Sequence, residues 1–269
     1  MSEPDALKRA AAPAAKQEGW RETVKVIIEA LIIALVVRTV LFQPFNIPSG
    51  SLIPTLLVGD YVFVSKYAYG YSHYSLPEFL DWAPGAMPGR LFASQPKRGD
   101  IIVFRPPSKP DQDYIKRLIG LPGDTIQMIG NRLYINGDIV PRTPAPPYPY
   151  HDRFGASRDV PQYYETLPDN EGSPNGVRHR IVQIDEASDV WGNTGVYKVP
   201  PGEYFFMGDN RDDSSDSRVP QPEGVGYVPF VNLVGRAEVI FFSVDGAPAW
   251  QFWRWPWTVR WNRMFHAVH

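Results

Sequence analysis

The longest apolar segment of the chain lies near its N-terminus, over Val24–Val40. Counted to Phe45 it covers 22 residues. A helix of that length is about 33 Å long, enough for the hydrocarbon core of a bilayer. The pattern predicts a transmembrane anchor over residues 20–43, preceded by a polar, Ala-rich tail over residues 1–19 that is expected to be disordered and cytoplasmic.

Charged residues inside this segment leave two alternatives open. Lys25 and Glu29 are four residues apart and can pair on one helix face, and Arg38 can extend its charged end toward water. A cleaved signal peptide would need an Ala-x-Ala-like site, which the following residues 43–46 do not offer. The other alternative is an amphipathic helix that lies on the membrane surface.

Basic residues are unevenly distributed around the apolar segment. After Arg38 the next basic residue is Lys66. The basic residues that precede or open the segment are Lys8, Arg9, Lys16, Arg21 and Lys25. The positive-inside rule therefore predicts a cytoplasmic N-terminus and an exported body.

Beyond residue 45 the pattern changes to short apolar and alternating runs, which are typical of strands. Such runs occur at Tyr61–Ser65, Asp100–Phe104 and Ala237–Ser243, and consecutive hairpins are predicted within Thr125–Val140. Five prolines between Pro141 and Tyr150 predict the absence of regular structure there. The chain is therefore predicted to be mainly β and antiparallel, with a transmembrane helix at its N-terminus.

The β pattern is interrupted by a polar, weakly patterned stretch, which suggests how the body is divided. We predict a β core formed by residues 44–128 and 200–245, with residues 129–199 inserted as a second β-rich subdomain. Residues 246–269 form a separate C-terminal segment rich in Trp and Arg. Its tryptophans suit either a membrane–water interface or packing over the β core. They are Trp250, Trp253, Trp255, Trp257 and Trp261.

Composition excludes several functional classes. The 269 residues are ample for buried cores, and a net charge of −2 gives no indication of nucleic-acid binding. Cysteine is absent, so disulfides, thiolate metal sites and a Cys nucleophile are excluded. The five histidines have no metal-ligand spacing and are interpreted as surface or partly buried residues. No metal and no cofactor are expected.

The first segment with candidate chemistry is Pro48–Leu56, in which Ser49 and Ser51 flank Gly50 between two prolines. The glycine permits a tight backbone, and the prolines exclude a helix. Such a segment can present a hydroxyl and a backbone N–H to one substrate oxygen. On its own, the segment is more often an ordinary turn.

The second segment is Tyr114–Asp124, where Lys116 and Arg117 stand in an apolar run. In a strand these two side chains point to opposite faces, so one of them can face inward. A buried lysine beside a cation is driven toward the neutral amine, the form that a general base requires. The alternative is a pair of surface cations on an edge strand.

The third segment, Met207–Arg218, is dense in turn-forming and hydrogen-bonding residues. It could be a solvated turn or a cation-binding loop, but its spacing does not match an EF-hand. These three segments, together with Arg98–Phe104, resemble the four conserved boxes of bacterial type I signal peptidases and occur in the same order. The resemblance covers roughly residues 20–245. It departs at Leu52, where the family commonly has Met, and the family often carries two anchors where this chain shows one.

The resemblance implies a Ser/Lys serine protease. Ser51 would be the nucleophile and Lys116 the general base, while the Ser49 hydroxyl and the Ser51 N–H would form the oxyanion hole. Ser214 would orient the lysine. The candidates for supporting ion pairs are Asp209 with Arg117 and Asp216 with Arg218.

The resemblance also implies the substrate and the location. The enzyme would cut exported preproteins after Ala-x-Ala-like sites, near the secretion translocon, from the outer face of the bacterial inner membrane. Three rival functions are considered. The first is a Ser/Lys hydrolase of the penicillin-binding type, because Ser94 and Lys97 have the SxxK spacing. The other two are a self-cleaving repressor and a non-enzymatic anchored β module.

Overall fold

The structure is a computed structural model that describes residues 19–75, 89–151, 157–173, 176–184, 191–246 and 250–268. The chain divides into two compact units, residues 1–37 and residues 38–269. Of the predicted disordered tail over residues 1–19, residues 1–18 lie outside the described residues. The predicted division of the second unit into a core and an insertion stays a prediction.

The first unit contains helix α1, Trp20–Val36, in which no residue is buried. Lys25 Nζ lies 3.7 Å from Glu29 Oε1, at the spacing that the sequence predicts. A π-helical turn, Val37–Leu41, follows. Among the described residues, no helix is both long enough and apolar enough to cross a membrane.

The second unit consists mainly of antiparallel strands. In chain order they are β1 (Phe42–Asn46), β2 (Asp60–Ser65), β3 (Ile101–Phe104), β4 (Tyr114–Gly120), β5 (Thr125–Ile129), β6 (Arg132–Ile135), β7 (Asp138–Ile139), β8 (Arg142–His151), β9 (Ser157–Thr166), β10 (Arg178–Val182), β11 (Tyr197–Lys198), β12 (Glu203–Met207), β13 (Val228–Pro229), β14 (Leu233–Ser243) and β15 (His266–Ala267). The predicted mainly β, antiparallel fold is confirmed.

The described residues form three sheets. The largest has the order β1-β2-β14-β3-β4-β12-β13, with β15 pairing to β14. The second has the order β10-β9-β8 and the third β11-β5-β6-β7. Phe42 and Gln43 pair with Ser65 and Val64 of β2, so the sheet begins at these two residues. The predicted anchor over residues 20–43 stays a prediction.

The short apolar runs form strands because their buried side chains pack into hydrophobic clusters. In β2, Val62 and Val64 are fully buried, and they pack with Ile101 and Val103 of β3. Leu52 is fully buried in the same cluster. The residue where the chain departs from the family pattern is therefore part of the core beneath the Ser-Gly-Ser turn.

The proline-rich stretch is a strand, which corrects the prediction that it has no regular structure. Strand β8 lies at the edge of its sheet, so it needs backbone donors on one side only. Its register to β9 shifts between Ala145 and Tyr148, which accommodates Pro146 and Pro147 outside the regular ladder. Proline excludes a central strand, but an edge strand with a bulge tolerates it.

The C-terminal segment contains short helical turns, including α2 (Trp255–Thr258), before β15. Trp255 packs against Phe242 of β14, with ring centroids 5.0 Å apart. The other four tryptophans of the segment are more than half exposed. One ring of the segment therefore covers the sheet, and contact of the exposed rings with a membrane stays a prediction.

Candidate active site

The Ser-Gly-Ser turn is held from behind by Asn210. The backbone N–H of Asn210 donates to the Ser51 carbonyl at 3.1 Å, and its side-chain amide donates to the Gly50 carbonyl at 3.2 Å. Ser51 is only 6% exposed. The turn is therefore fixed by two hydrogen bonds from a loop that is about 160 residues distant in sequence.

Lys116 lies in the middle of β4, between β3 and β12, and is buried. Its Nζ is 2.5 Å from Ser51 Oγ. Burial lowers the pKa of Lys116 to about 8, against the opposing effect of the Asp216, Asp209 and Asp213 carboxylates.

The cation that adds to this lowering is Arg218, not the adjacent Arg117 that the sequence suggested. Strand alternation points Lys116 and Arg117 to opposite faces of β4, so the two side chains are held apart although they are sequence neighbours. The direction of the predicted pKa shift is thus the same, but its main cause is desolvation.

The groups predicted to form an oxyanion hole are the Ser49 hydroxyl and the Ser51 N–H. Ser49 Oγ is 3.4 Å from Ser51 Oγ, and Ser49 is exposed. Within the described residues, the Ser51 N–H has no hydrogen-bond acceptor. One hydroxyl and one backbone N–H are therefore available beside the nucleophile candidate.

Ser214 is close to this site without bonding the lysine. Its hydroxyl is buried, yet it has no hydrogen-bond partner among the described residues. A Cβ placed on Gly208 would overlap Ser214 Oγ and lie 2.5 Å from the Ser51 carbonyl oxygen. Only glycine at position 208 lets the loop pass between Ser51 and Ser214.

Arg117 and Asp209 form a fully buried ion pair beneath the turn. Two guanidinium nitrogens donate to the two carboxylate oxygens at 2.8 and 2.7 Å, and Thr55 Oγ1 donates to Asp209 at 2.6 Å. Burial alone would raise the pKa of Asp209, but Arg117 and the hydrogen bonds hold that pKa below its ordinary value.

Asp216 and Arg218 form a second buried pair, with guanidinium–carboxylate distances of 3.0 and 2.9 Å. The Gly208 N–H also donates to Asp216, at 3.0 Å. Burial would raise the pKa of Asp216, and Arg218 holds it below its ordinary value. The pair thus fixes the loop that carries Gly208 and Ser214.

A third cluster escaped the sequence analysis. Arg211 pairs with Glu165 of β9, and His179 of β10 lies with Nε2 3.5 Å from Glu165 and 3.8 Å from Asp209. Burial, with Arg117 nearby, lowers the pKa of His179 to about 4. His179 is thus a neutral, fully buried residue, which corrects its interpretation as a surface or partly buried histidine. The order of these residues in sequence carries no signal of this contact.

The rival SxxK pair does not form a site. Ser94 and Lys97 are both exposed, on a stretch of the described chain that is not helical. The Ser-Asp-Asn and Lys-Thr-Gly motifs that accompany SxxK in penicillin-binding enzymes are absent from the sequence. The chemistry of the described residues is therefore concentrated around Ser51 and Lys116.

In this antiparallel β unit a lysine amine is buried against a serine hydroxyl. Such an arrangement is typical of a serine hydrolase whose general base is not histidine. The chain matches the family model described as "Signal peptidase, peptidase S26" over residues 20–242. It belongs to this family of serine peptidases.

Curated relatives agree with this assignment. A protein named signal peptidase I from Rickettsia akari (strain Hartford) is 44% identical over 231 residues, which are 85% of this chain and 80% of the relative. Signal peptidase I from Rickettsia typhi (strain ATCC VR-144 / Wilmington) is 46% identical over 213 residues, 79% of this chain and 76% of the relative. A crystal structure of a signal peptidase I from Enterococcus faecalis V583 is 29% identical and covers 53% of this chain and 97% of its own, with a TM-score of 0.28.

Proposed function

We propose that this chain is an endopeptidase that removes N-terminal signal peptides from exported preproteins, with Ser51 as nucleophile and Lys116 as general base. The observation that carries the proposal is the 2.5 Å contact between Lys116 Nζ and Ser51 Oγ inside a buried site. Family membership supports the reaction class, and this contact supports the choice of the two residues.

The acylation step follows from the protonation state of the lysine. With a pKa of about 8, about a tenth of Lys116 is the neutral amine at pH 7. The neutral amine accepts the Ser51 hydroxyl proton while Oγ attacks the scissile carbonyl carbon. The resulting ammonium then donates that proton to the leaving amine as the peptide bond breaks.

The negative oxygen of the tetrahedral intermediate would be held by the Ser51 N–H and the Ser49 hydroxyl. In the second half of the reaction, the neutral Lys116 amine would deprotonate a water that attacks the acyl-enzyme. Ser214 would hydrogen-bond the amine once substrate closes the site. The two ion pairs, Arg117 with Asp209 and Asp216 with Arg218, would hold in place the Ser-Gly-Ser turn and the loop that carries Gly208 and Ser214.

The substrate would be the cleavage region of a signal peptide, bound as an extended strand with small side chains on the reading face. Small residues at these positions are what a shallow site beside a β-sheet can accept. Translocated signal peptides emerge at the membrane surface, so the enzyme is expected to work beside the secretion translocon.

We also propose that α1, with the π-helical turn after it, anchors the chain in the bacterial inner membrane. None of its residues is buried, and its large apolar side chains, such as Leu31 and Ile33, are each 63% exposed. The asymmetry of basic residues then places the N-terminus in the cytoplasm and the β unit outside.

The proposal is tested by incubating the purified full chain, in detergent, with a preprotein and mapping the products by mass. A single cut after an Ala-x-Ala-like site is expected with the wild type and no cut with Ser51→Ala. Cleavage elsewhere, or equal cleavage by the variant, would contradict the proposed function.

A further inference from the structure

Two arginines of the C-terminal segment reach back to the backbone that follows the Ser-Gly-Ser turn. Arg260 Nη2 donates to the Val244 carbonyl at 2.7 Å and also to the Val58 carbonyl. Arg263 Nη2 donates to the Thr55 carbonyl at 3.0 Å. The segment lies beyond residue 242, where the match to the family model ends. These contacts are therefore additional to the site residues that the family resemblance implies.

Arg263 is itself held by an ion pair at the start of β2. Its Nε donates to Asp60 Oδ1 at 3.1 Å, and its Nη2 donates to Asp60 Oδ2 at 2.5 Å. Asp60 is fully buried and also accepts hydrogen bonds from the Ser243 hydroxyl and the Leu57 N–H. Because a two-point pair fixes the direction of a guanidinium as well as its position, the bond to the Thr55 carbonyl is made by a group that is already oriented.

Thr55 connects this arginine to the nucleophile candidate. It lies four residues after Ser51, and the Leu56 N–H donates to the Leu52 carbonyl at 3.0 Å, which closes one helical turn over this stretch. The Thr55 hydroxyl donates to the buried carboxylate of Asp209 at 2.6 Å. Thr55 is thus bonded on two sides, and a displacement of its backbone is transmitted to Ser51 through a single turn.

The sequence of the nucleophile segment also accommodates the C-terminal segment. Gly59 has a φ of 88°, in the left-handed region. A Cβ placed on it would lie 2.0 Å from the Val244 carbonyl oxygen and 3.0 Å from Arg260 Nη2. The two stretches of backbone can approach this closely because residue 59 is a glycine.

From these contacts we propose that Arg263 is a positioning residue for the nucleophile: by holding the Thr55 carbonyl, it keeps Ser51 at bonding distance from Lys116. The inference rests on the proposed function, because it takes Ser51 and Lys116 as the reacting pair, with 2.5 Å between Oγ and Nζ. Among the described residues, Arg263 hydrogen-bonds neither member of the pair, so its effect passes through Thr55. A misplacement of about 1 Å caused by a remote change can lower a rate by about 10²-fold.

The competing explanation is that Arg263 only stabilises the fold. A residue that only stabilises changes the fraction of folded molecules, whereas a positioning residue changes the kcat of the molecules that are folded. The test is Arg263→Met, which keeps a long side chain and removes the donors. Steady-state cleavage of a preprotein by the full chain in detergent gives kcat and KM, and tryptophan fluorescence gives the folded fraction by which kcat is corrected.

We expect the corrected kcat of Arg263→Met to be lower by about 10- to 100-fold, with KM changed by less than about twofold, because the contacts with substrate are unaltered. The single variant leaves the buried Asp60 carboxylate without this cation, which destabilises the fold. Asp60→Asn combined with Arg263→Met removes that uncompensated charge together with the bond to the Thr55 carbonyl. The double variant should fold better than the single variant and keep the lowered kcat. Recovery of the wild-type kcat in the double variant would overturn the proposal.

The matched control is Arg254→Met, which removes an exposed arginine of the same segment whose guanidinium donates to the Gln251 side chain at 3.1 Å. It is expected to keep the wild-type kcat and KM. A corrected kcat for Arg263→Met equal to that of the control, or a raised KM at unchanged kcat, would overturn the positioning role. Cleavage by Ser51→Ala, or no cleavage by the wild type, would contradict the proposed function itself and the inference with it.

Discussion

Two groups of buried polar side chains lie side by side in the β unit, and they differ in how their charges are compensated. Arg117 and Asp209 are joined by two short hydrogen bonds, so both stay charged. Lys116 is equally buried, but among the described residues its Nζ bonds only the Ser51 hydroxyl. Its pKa accordingly falls to about 8.

The difference shows that burial alone does not decide what an ionisable group does. Burial with a bonded counter-ion gives a rigid charged scaffold, whereas burial without one gives a group that exchanges its proton near neutral pH. Lys66 provides a direct comparison with Lys116. It is buried and its pKa is also lowered to about 8, chiefly by burial, yet its Nζ donates to the Ser75 carbonyl and no serine hydroxyl is bonded to it.

The largest effect is expected at the reacting pair. Ser51→Ala, Lys116→Met and Lys116→Arg should each lower kcat by about 10⁴-fold or more, since none can pass a proton between serine and a neutral amine. The measurement is single-turnover cleavage of a preprotein. Ser94→Ala, which alters the exposed serine of the SxxK stretch, is the control and should cleave normally. An active Lys116→Met would show that another group is the base.

The contribution of the buried ion pair between Arg117 and Asp209 should be visible in the stability of the protein. Asp209→Ala removes the buried carboxylate to which two nitrogens of Arg117 donate, so we expect a loss of about 3–5 kcal/mol in the free energy of unfolding, measured with urea in detergent. The control is Asp113→Ala, which breaks the partly exposed pair with Arg105 and should cost less than about 1 kcal/mol. Equal losses in the two variants would remove the distinction between scaffold and surface pairs.

The oxyanion hole should give a smaller effect on activity. Ser49→Ala is expected to lower kcat by about 10²-fold with little change in KM, because the Ser51 N–H remains as one donor. Steady-state kinetics on a peptide substrate separates the two constants. A loss as large as that of Ser51→Ala, or no loss, would place the oxyanion elsewhere.

The smallest expected effect is a gain. The ordinary pKa of lysine, 10.5, falls to about 8 when Lys116 is buried, so the amine favours the unfolded chain most strongly below pH 8 and no longer above pH 10.5. Lys116→Met removes this penalty together with the Ser51 hydrogen bond. We expect the inactive variant to be more stable at pH 7 by roughly 2 kcal/mol. A less stable variant would contradict the burial account.

Much of the fold was predictable because strand patterns are local. The short apolar runs in β2 and β14 are visible in sequence, and so is the opposite orientation of Lys116 and Arg117 in β4. The proline-rich strand β8 was wrongly predicted as irregular, because its edge position and its bulge depend on which strand it meets. Local pattern does not carry that information.

The candidate site shows the same limit. The segments around Ser51, Lys116 and Ser214 were found from their composition and from a family resemblance. Asn210, which fixes the Ser-Gly-Ser turn, and His179, which lies beside Asp209, were missed. Their roles arise from contacts between residues far apart in the chain, and neither stands in a pattern that distinguishes it from an ordinary polar residue.

The central claim is that Lys116 acts as a neutral amine on Ser51, and the pH dependence of kcat/KM tests it most directly. We expect activity to rise with pH through an apparent pKa near 8, since deprotonation creates the base. Lys66→Met should keep this profile, because the other buried lysine takes no part. A wild-type profile that is flat from about pH 5 to 10, or one that Lys66→Met shifts, would contradict the assignment.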